Sequence, residues 1–551
     1  MKLRHLVVSV GIACVPRLAS AGGLFLPGAG AVSMSRAGAA VASSDDGEAL
    51  VLNPAGIAKA HGNTITISAA MIEYAMTFQR RGSYDAVPGQ DYAYAGAPFA
   101  AVRNDARPPL GIGRFQPLPV VAFLTDLGGR LGNLHLGIGL YAPSGYPFRD
   151  MCTELPEGCQ KYVFNRDTTA PPGTRYDIMK QEAAITLPSI AAAYRVRGDL
   201  DVGVRLSAGQ ARIKSTTALW ATLQANYEED IAKDGVFSLD AKDNFVFGAG
   251  LGVAFRPSPH LEIGASYSSE LDIHSKGTST SVLGPQAGLP PLPVTIGPTP
   301  DDRALCAKGG TSALQNVCVD FALPMTAQLG ASYKFLDAAG GITGDVELDL
   351  GWENWGKSCA PADFASGTCT SPGDYRVVAD SSAFLAGQPF MDLKQSVVKH
   401  GLRDSYSVRV GGSYHVAVGA RPEHGPATEV ILRGGVGYDT AAASQGWLRA
   451  DLDGAARTTL TVGAAYRTRR FELDAGGGVI LEGSPSNPNV GGGAQPCNPT
   501  EAAPTCSTGD HQGPDPINPL QSADRQVENP VAQGDYKAHY VMLMLGVTTW
   551  F

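Results

Sequence analysis

Charge is scarce in this chain. Asp, Glu, Lys and Arg make up 17% of its 551 residues, against about a quarter in an ordinary soluble domain. The balance is acidic, with a formal net charge of -9, which argues against nucleic acid as a partner because phosphates demand a basic surface. Long apolar runs are missing too: after residue 21 nothing approaches the ~18 consecutive apolar residues of a membrane helix. On that count alone a secreted soluble protein stays open. No Gly-x-Ser-x-Gly elbow, P-loop or His-Glu-x-x-His occurs. Gly411-Gly412-Ser413-Tyr414-His415 comes nearest to an elbow, lacks its final Gly and lies within a strand pattern, so it reads as structural. No His accompanies a cysteine pair at zinc-like spacing. No catalytic residue, metal or cofactor is therefore expected. A lipid-acting hydrolase would need a Ser and a His that meet only in space.

Glycine, by contrast, is abundant: 67 residues, well above the ordinary ~7%, spread along the whole chain. Residues 1–21 read as an export signal, with Lys2 and Arg4 before an apolar stretch and Ala19-Ser20-Ala21 as the cleavage site. Cys14 raises the rival of a lipid anchor, which the preceding Gly11-Ile12-Ala13 fits poorly. Eight cysteines remain, in four close pairs: Cys152 and Cys159, Cys306 and Cys318, Cys359 and Cys369, Cys497 and Cys506. An even count in an exported chain reads as disulfides. Connectivity is not fixed by sequence, although pairing between neighbours closes only short loops.

The hydrophobic pattern has period two. Leu261, Ile263, Ala265, Tyr267, Leu271 and Ile273 share one face, as do Leu200, Val202, Val204 and Leu206. Fourteen such segments follow: 64–78, 117–125, 133–142, 182–194, 199–214, 243–256, 260–274, 320–335, 343–355, 404–416, 428–438, 458–468, 470–481 and 536–551. Short turns follow the even-numbered segments and long connections the odd ones, and all eight cysteines lie in the long ones. One trimmed end and one elaborated end describe a transmembrane antiparallel β-barrel with periplasmic turns and extracellular loops. The fold class is thus all-β: a 14-stranded barrel of the Gram-negative outer membrane.

Residues 22–63 are small, apolar and without strand periodicity. A disordered tail would be more polar, so this segment is expected to plug the barrel lumen as a hatch, followed by the barrel proper at 64–551. Within it, SRAGAAVASSDDGEALVLNPAGIAKA, with Ser35-Arg36-Ala37-Gly38, Asp45-Asp46 and Asn53-Pro54-Ala55-Gly56, resembles the N-terminal signature of the FadL family of outer-membrane transporters for long-chain fatty acids and other hydrophobic compounds. The hairpin ending in FVFGAGLGVAFRPSPHLEIGASYSSELDIHSKG and the closing NPVAQGDYKAHYVMLMLGVTTWF also resemble family segments. That resemblance implies a 14-stranded barrel, an internal hatch and sideways passage of ligand into the membrane. Asn53-Pro54-Ala55 reads physically as a rigid corner, either tying the hatch to the wall near the first strand or serving as a plain turn.

If the closing Phe551 points to lipid, Tyr540, Met542 and Met544 point inward. With Leu24 and Phe25 they are the candidate lumen ligand-binding residues; the competing reading is packing against the hatch. Outside, Leu219, Trp220, Leu223 and Tyr227 recur at helical spacing, and Leu289 and Leu292 stand in a proline-rich loop. These are candidates for a capture groove, or the two loops simply pack together. The expected partners are a hydrophobic small molecule and the outer-membrane lipid and lipopolysaccharide around a monomer. Ester hydrolysis, a general porin and adhesion by the large loops are the rival roles.

Overall fold

The computed structural model of the chain describes residues 25–60, 62–128, 131–143, 148–152, 169–221, 229–284, 288–289, 292–300, 304–306, 315–385, 387–393, 396–418, 428–444, 446–487, 495–496, 514, 516–518, 527–528 and 531–551. Fourteen strands form the wall: β1 (Asn63–Arg80), β2 (Gln116–Asp126), β3 (Leu134–Tyr141), β4 (Lys180–Arg197), β5 (Leu200–Leu219), β6 (Gly235–Phe255), β7 (Leu261–Ser268 continued by Leu271–Leu283), β8 (Gln315–Leu323 continued by Thr326–Leu336), β9 (Ile342–Glu353), β10 (Ser405–Ala417), β11 (Glu429–Asp439), β12 (Arg457–Arg467), β13 (Phe471–Leu481) and β14 (Gly534–Trp550). Each pairs antiparallel with its neighbours in the chain. β14 then pairs with β1 from Thr64↔Trp550 to Arg80↔Gly534. Closure removes the free edges that lipid cannot hydrate.

All fourteen expected segments are strands, but β5 to β8 run farther outward than their sequence pattern suggests. Leu219, the first of the residues at helical spacing, instead ends β5 and pairs with Gly235 of β6. The reason is a change of face. In the lower barrel Phe247, Leu251, Tyr267, Leu329 and Tyr333 point outward and are exposed. Farther up the same strands Leu239, Ala241, Leu271, Ile273, Val319 and Phe321 carry the same parity yet point inward and are buried. A one-residue irregularity is enough to exchange the faces of a strand. On β6 two residues, 244 and 245, stand opposite Gln210 alone. On β7 and β8 the breaks at 269–270 and 324–325 lie opposite each other, and Pro324 has no N–H for the ladder. The reading that Leu261 through Ile273 share one face is therefore corrected: Tyr267 meets lipid and Leu271 the lumen. Above the breaks the barrel becomes a cup, polar outside at Lys242, Asp272 and His274 and greasy inside.

The lumen below holds the chain's own start. Short helices α1 (Ala31–Met34) and α2 (Ala49–Leu52) and a 3-10 turn at Pro54–Lys59 are almost wholly buried within the wall. Polar groups on the inner faces receive its otherwise unpaired backbone. Ala40 and Val41 N–H donate to Asp349 Oδ2 at 2.9 and 3.0 Å, and Ala42 N–H to Glu347 Oε1 at 2.7 Å. Glu48 accepts Val32 and Ser33 N–H at 2.9 and 2.8 Å. Inward glycines make room. A Cβ at Gly203 would stand 2.3 Å from the carbonyl carbon of Pro54, and one at Gly435 2.2 Å from that of Arg36. Part of the glycine excess is the footprint of this segment.

Candidate functional site

Two cavities lie one above the other in the bore, the upper apolar and the lower mixed, with Gln328 and Glu353 among its lining residues. The upper, of about 120 Å³, sits in the cup and is lined by Ile213, Leu239, Val319, Phe321, Tyr375 and Val377, with Asp177 and Asp451 at its rim. The lower, of about 140 Å³, rests on the N-terminal segment: Phe25 and Val51 form its floor, Val120, Leu271 and Leu323 its walls, and Arg205 and Arg409 its polar side. Along β8 a single residue, Ala322, separates Phe321, in the upper cavity, from Leu323, in the lower. Between them runs one continuous hydrophobic cluster that includes Leu187, Ile273 and Trp355. An apolar cavity such as the upper one stays dry when close-packed side chains surround it, and one of ~150 Å³ accommodates benzene.

The expected site residues divide. Phe25 lines the lower cavity, with its ring 5.7 Å from that of Trp355. Leu24 lies outside the described residues. Tyr540, Met542 and Met544 do point inward, but toward a different part of the bore, in a cluster with Ala31 and Met34 of the N-terminal segment. The Tyr540 ring lies tilted against that of Tyr74, 4.4 Å between centroids, and its hydroxyl accepts a hydrogen bond from Arg457 Nη2 at 3.0 Å. None of the three is among the residues lining either cavity. Their neighbours correct the grouping: Phe25 does not share a cavity with them.

In the loops, Leu219 lines the upper cavity from β5. Trp220 is buried against Tyr176, 5.5 Å between rings. Leu223 and Tyr227 lie outside the described residues. Leu289 and Leu292 pair with each other at the tip of a small hairpin, and their side chains are likewise outside the description. Cys306–Cys318 and Cys359–Cys369 are bonded to each other. Cys152 is also disulfide-bonded; Cys159, Cys497 and Cys506 lie outside the described residues.

Asn53 turns the 3-10 turn into a clamp. Its Oδ1 accepts Ala55 N–H at 3.1 Å, while Nδ2 donates to Val41 O at 2.8 Å and to Val253 O on β6 at 3.0 Å. The Asn-Pro-Ala corner therefore grips β5 and β6, with Pro54 over Gly203, rather than the start of β1. Lys59 pairs with Glu262 at 2.7 Å just beyond it.

The loops above the cup are locked by buried ions. Arg175 binds Glu229 at 2.7 Å and Asp234 at 3.1 Å, and Arg80 donates to the same Glu229. Burial would raise the Glu229 carboxyl, but the two guanidiniums overcome it and hold the pKa at about 2. For Asp234 burial wins, and its pKa rises to about 7 despite Arg175 and the Tyr176 hydroxyl. Deeper, His400 Nε2 meets Asp451 at 2.9 Å, and Arg449 meets Asp177 at 2.5 Å.

The cavity-lining residues Ile213, Leu239, Phe321, Tyr375 and Val377 went unmarked in the sequence. For Leu239 and Phe321 the signal was the parity shift within β6 and β8, which a continuous alternation hides; Tyr375 and Val377 come from the long connection after β9.

Residues 181–484 match the family described as outer membrane protein transport protein (OMPP1/FadL/TodX). No curated protein matches the chain in sequence. Among solved structures, a FadL homologue of Pseudomonas aeruginosa is similar with a TM-score of 0.63 at 12% identity, covering 96% of this chain and 100% of that one. The toluene transporter TbuX of Ralstonia pickettii gives 0.54 at 15% identity, over 96% and 99%. The toluene transporter TodX of P. putida gives 0.57 at 13% identity, over 96% and 99%. At such identities the likeness speaks for the fold.

Proposed function

The chain belongs to the OMPP1/FadL/TodX family of outer membrane transport proteins, and from that premise we propose that it takes up small hydrophobic molecules through a dry, stepped conduit. The observation that carries this reading is the exchange of faces in β6 to β8, which turns a greasy lining into a bore that is polar in ordinary porins. Each cavity has the size class that admits one aromatic ring. A long acyl chain would have to occupy both. TbuX and TodX are toluene transporters, and a monoaromatic hydrocarbon is the cargo that fits the two steps best.

In this reading the loops capture the molecule, the upper cavity with Leu219 in its lining takes it from them, and the lower cavity holds it above the segment 22–63, which acts as the hatch once residues 1–21 are removed. Burial of ~0.8 kcal/mol per methylene-sized group makes binding easy and release slow. The Asn53 clamp holds the hatch against β5 and β6, and its release would let the hatch shift and weaken the lower site. The protein works as a monomer, its belt in lipid and its loops among lipopolysaccharide. Uptake of radiolabelled toluene and of oleate by cells lacking the gene, with and without the gene restored, tests the reading. Gene-dependent toluene uptake supports it. Uptake of neither compound, together with a large steady conductance in a planar bilayer, would replace it with a porin.

A further inference from the structure

We infer that residues 104–115 form a finger that seats a lipid A molecule of the outer leaflet against the outside of the barrel. The chain returning from the first long loop pairs with β1 twice. Val102 and Arg103 lie opposite Phe78 and Thr77, and β2 takes up the ladder at Gln116, opposite Ile72. Residues 104–115 therefore stand opposite residues 73–76 alone, so most of them must leave the wall. Asn104 pins the exit, its N–H reaching Met76 O at 2.9 Å and its Nδ2 reaching Tyr74 O at 3.0 Å. Arg114 shows on which side the segment lies, because it meets Glu73 at 3.6 Å. Glu73 alternates with Ile72 and Tyr74, which are buried in the bore, and so it points outward.

The register fixes the height of this finger. Below Glu73 on the outer face, Met71 stands beside Leu543, an exposed residue of the apolar belt. Above it, Ala75 and Thr77 stand beside His539 and Lys537. Glu73 thus marks the boundary between acyl chains and headgroups. The finger's own backbone needs little from the wall there. Gly111 N–H donates to Pro108 O at 2.9 Å, and Ile112 and Phe115 exchange two N–H···O bonds of 3.1 Å. Pro108 and Pro109 have no N–H to satisfy. At the tip Leu110 and Ile112 are 88% and 76% exposed, against 64% for Leu545 of the belt. Two aliphatic side chains so bare, at the rim of the belt and framed by charge, mark a membrane contact.

The charges around the tip choose the lipid. Arg103, Arg107 and Arg114 are exposed, and Arg103 and Lys537 flank Thr77 on either side. Two acids face them: Glu73, and Asp105, which is shared between Arg107 at 3.8 Å and Arg114. Asp535, next along the outer face of β14, is taken by Arg81 at 2.8 Å. The cations therefore outnumber the acids just above an apolar tip. Guanidinium groups grip phosphate in a bidentate fork. Lipid A, a phosphorylated disaccharide bearing several acyl chains, presents its phosphates at that height and its chains to Leu110 and Ile112. A phospholipid, with one phosphate and two chains, meets fewer of these groups. The site lies outside the wall and is independent of the cargo in the bore.

Native mass spectrometry of the purified protein tests the site with three probes: bisphosphorylated lipid A, lipid A stripped of its phosphates, and phosphatidylglycerol. Wild type should hold bisphosphorylated lipid A at least about tenfold more tightly than either of the others, as a cluster of basic residues does for an anionic lipid. Arg103→Gln with Arg107→Gln should bring the two forms of lipid A close to parity. Leu110→Ser with Ile112→Ser should weaken both forms alike. Both variants should keep the wild-type thermal midpoint and toluene binding, since neither touches the hatch or a cavity. Should one pair fail to fold, the other pair and the comparison of lipids on wild type decide. Equal retention of lipid A by wild type and both variants overturns the assignment. So does a wild type that holds phosphatidylglycerol as tightly as lipid A, and in both cases the transport reading stands.

Discussion

Arg36 of the lumen segment and Glu347 of β9 form an ion pair at 3.1 Å, both side chains buried. The same carboxylate accepts Ala42 N–H at 2.7 Å and Ser43 N–H at 3.3 Å, so one wall residue holds both ends of a loop of the hatch. Breaking a buried pair from one side typically costs about 3–5 kcal/mol, and less here because Arg36 keeps its pairing with Asp345. Glu347→Ala should lower the thermal unfolding midpoint and open a measurable bilayer conductance. Glu347→Gln, which still accepts from the backbone, should fall between it and wild type. A closed, equally stable Glu347→Ala protein would mean the hatch is held elsewhere.

Asn53 gives a sharper sign. Its amide nitrogen faces two carbonyl oxygens, of Val41 and Val253. Asn53→Ala removes both bonds, at about 0.5–1.5 kcal/mol each, whereas Asn53→Asp drives a carboxylate oxygen into the two carbonyls. The aspartate should be the more damaging despite its closer shape. The rate of tryptic cleavage after Lys59 reports the loosening, and an Asp variant milder than Ala would contradict the assigned orientation.

Ser413, His415 and Glu429 line up, with Ser413 Oγ 3.1 Å from His415 Nε2 and His415 Nδ1 3.0 Å from Glu429 Oε2. This is the spacing of a hydrolytic triad. Yet the Ser413 hydroxyl also donates to Asp345, which pairs in turn with Arg36. With its proton committed there, the serine has no base and acts as a strut beneath the hatch. The protein should remain unlabelled by a fluorophosphonate probe, while Ser413→Ala should lose stability. Rapid labelling at Ser413 would reopen the hydrolase reading.

The extracellular ion cluster should respond to pH on both sides. Asp234, raised to about 7, is protonated in the fold where the unfolded loop is ionised, so stability falls as pH rises from near 4 through 7. Glu229, lowered to about 2, contributes stability that is present above its ordinary value and lost as pH falls through about 2. Proteolysis of the loops should therefore be slowest near pH 4 to 5, with a limb of up to ~1.4 kcal/mol per pH unit above it. Asp234→Asn should flatten that upper limb, and an unchanged profile in this variant would assign it to another group.

Much of the barrel was legible because a lipid-facing wall has one simple demand, an apolar residue at every second position. That demand placed all fourteen strands and the inward direction of Met542 and Met544. The cup was not legible, because above the breaks Leu239 and Phe321 obey the same alternation while facing the other way. Alternation alone does not say which side is lipid. The motif at Asn53 was visible, but its grip on Val253 depends on a contact 200 residues distant in sequence, which no local pattern encodes. Phe25 was found through the apolar character of its segment. Tyr540 instead bonds Arg457, whose burial no periodicity suggests.

A crystal of the protein soaked in bromobenzene puts the matter most directly. Anomalous scattering from bromine should appear inside the bore, against Phe321 and Val377 or against Phe25 and Leu271. Bromine found only along the outer belt, with both chambers filled by ordered water, would contradict a greasy passage through this barrel.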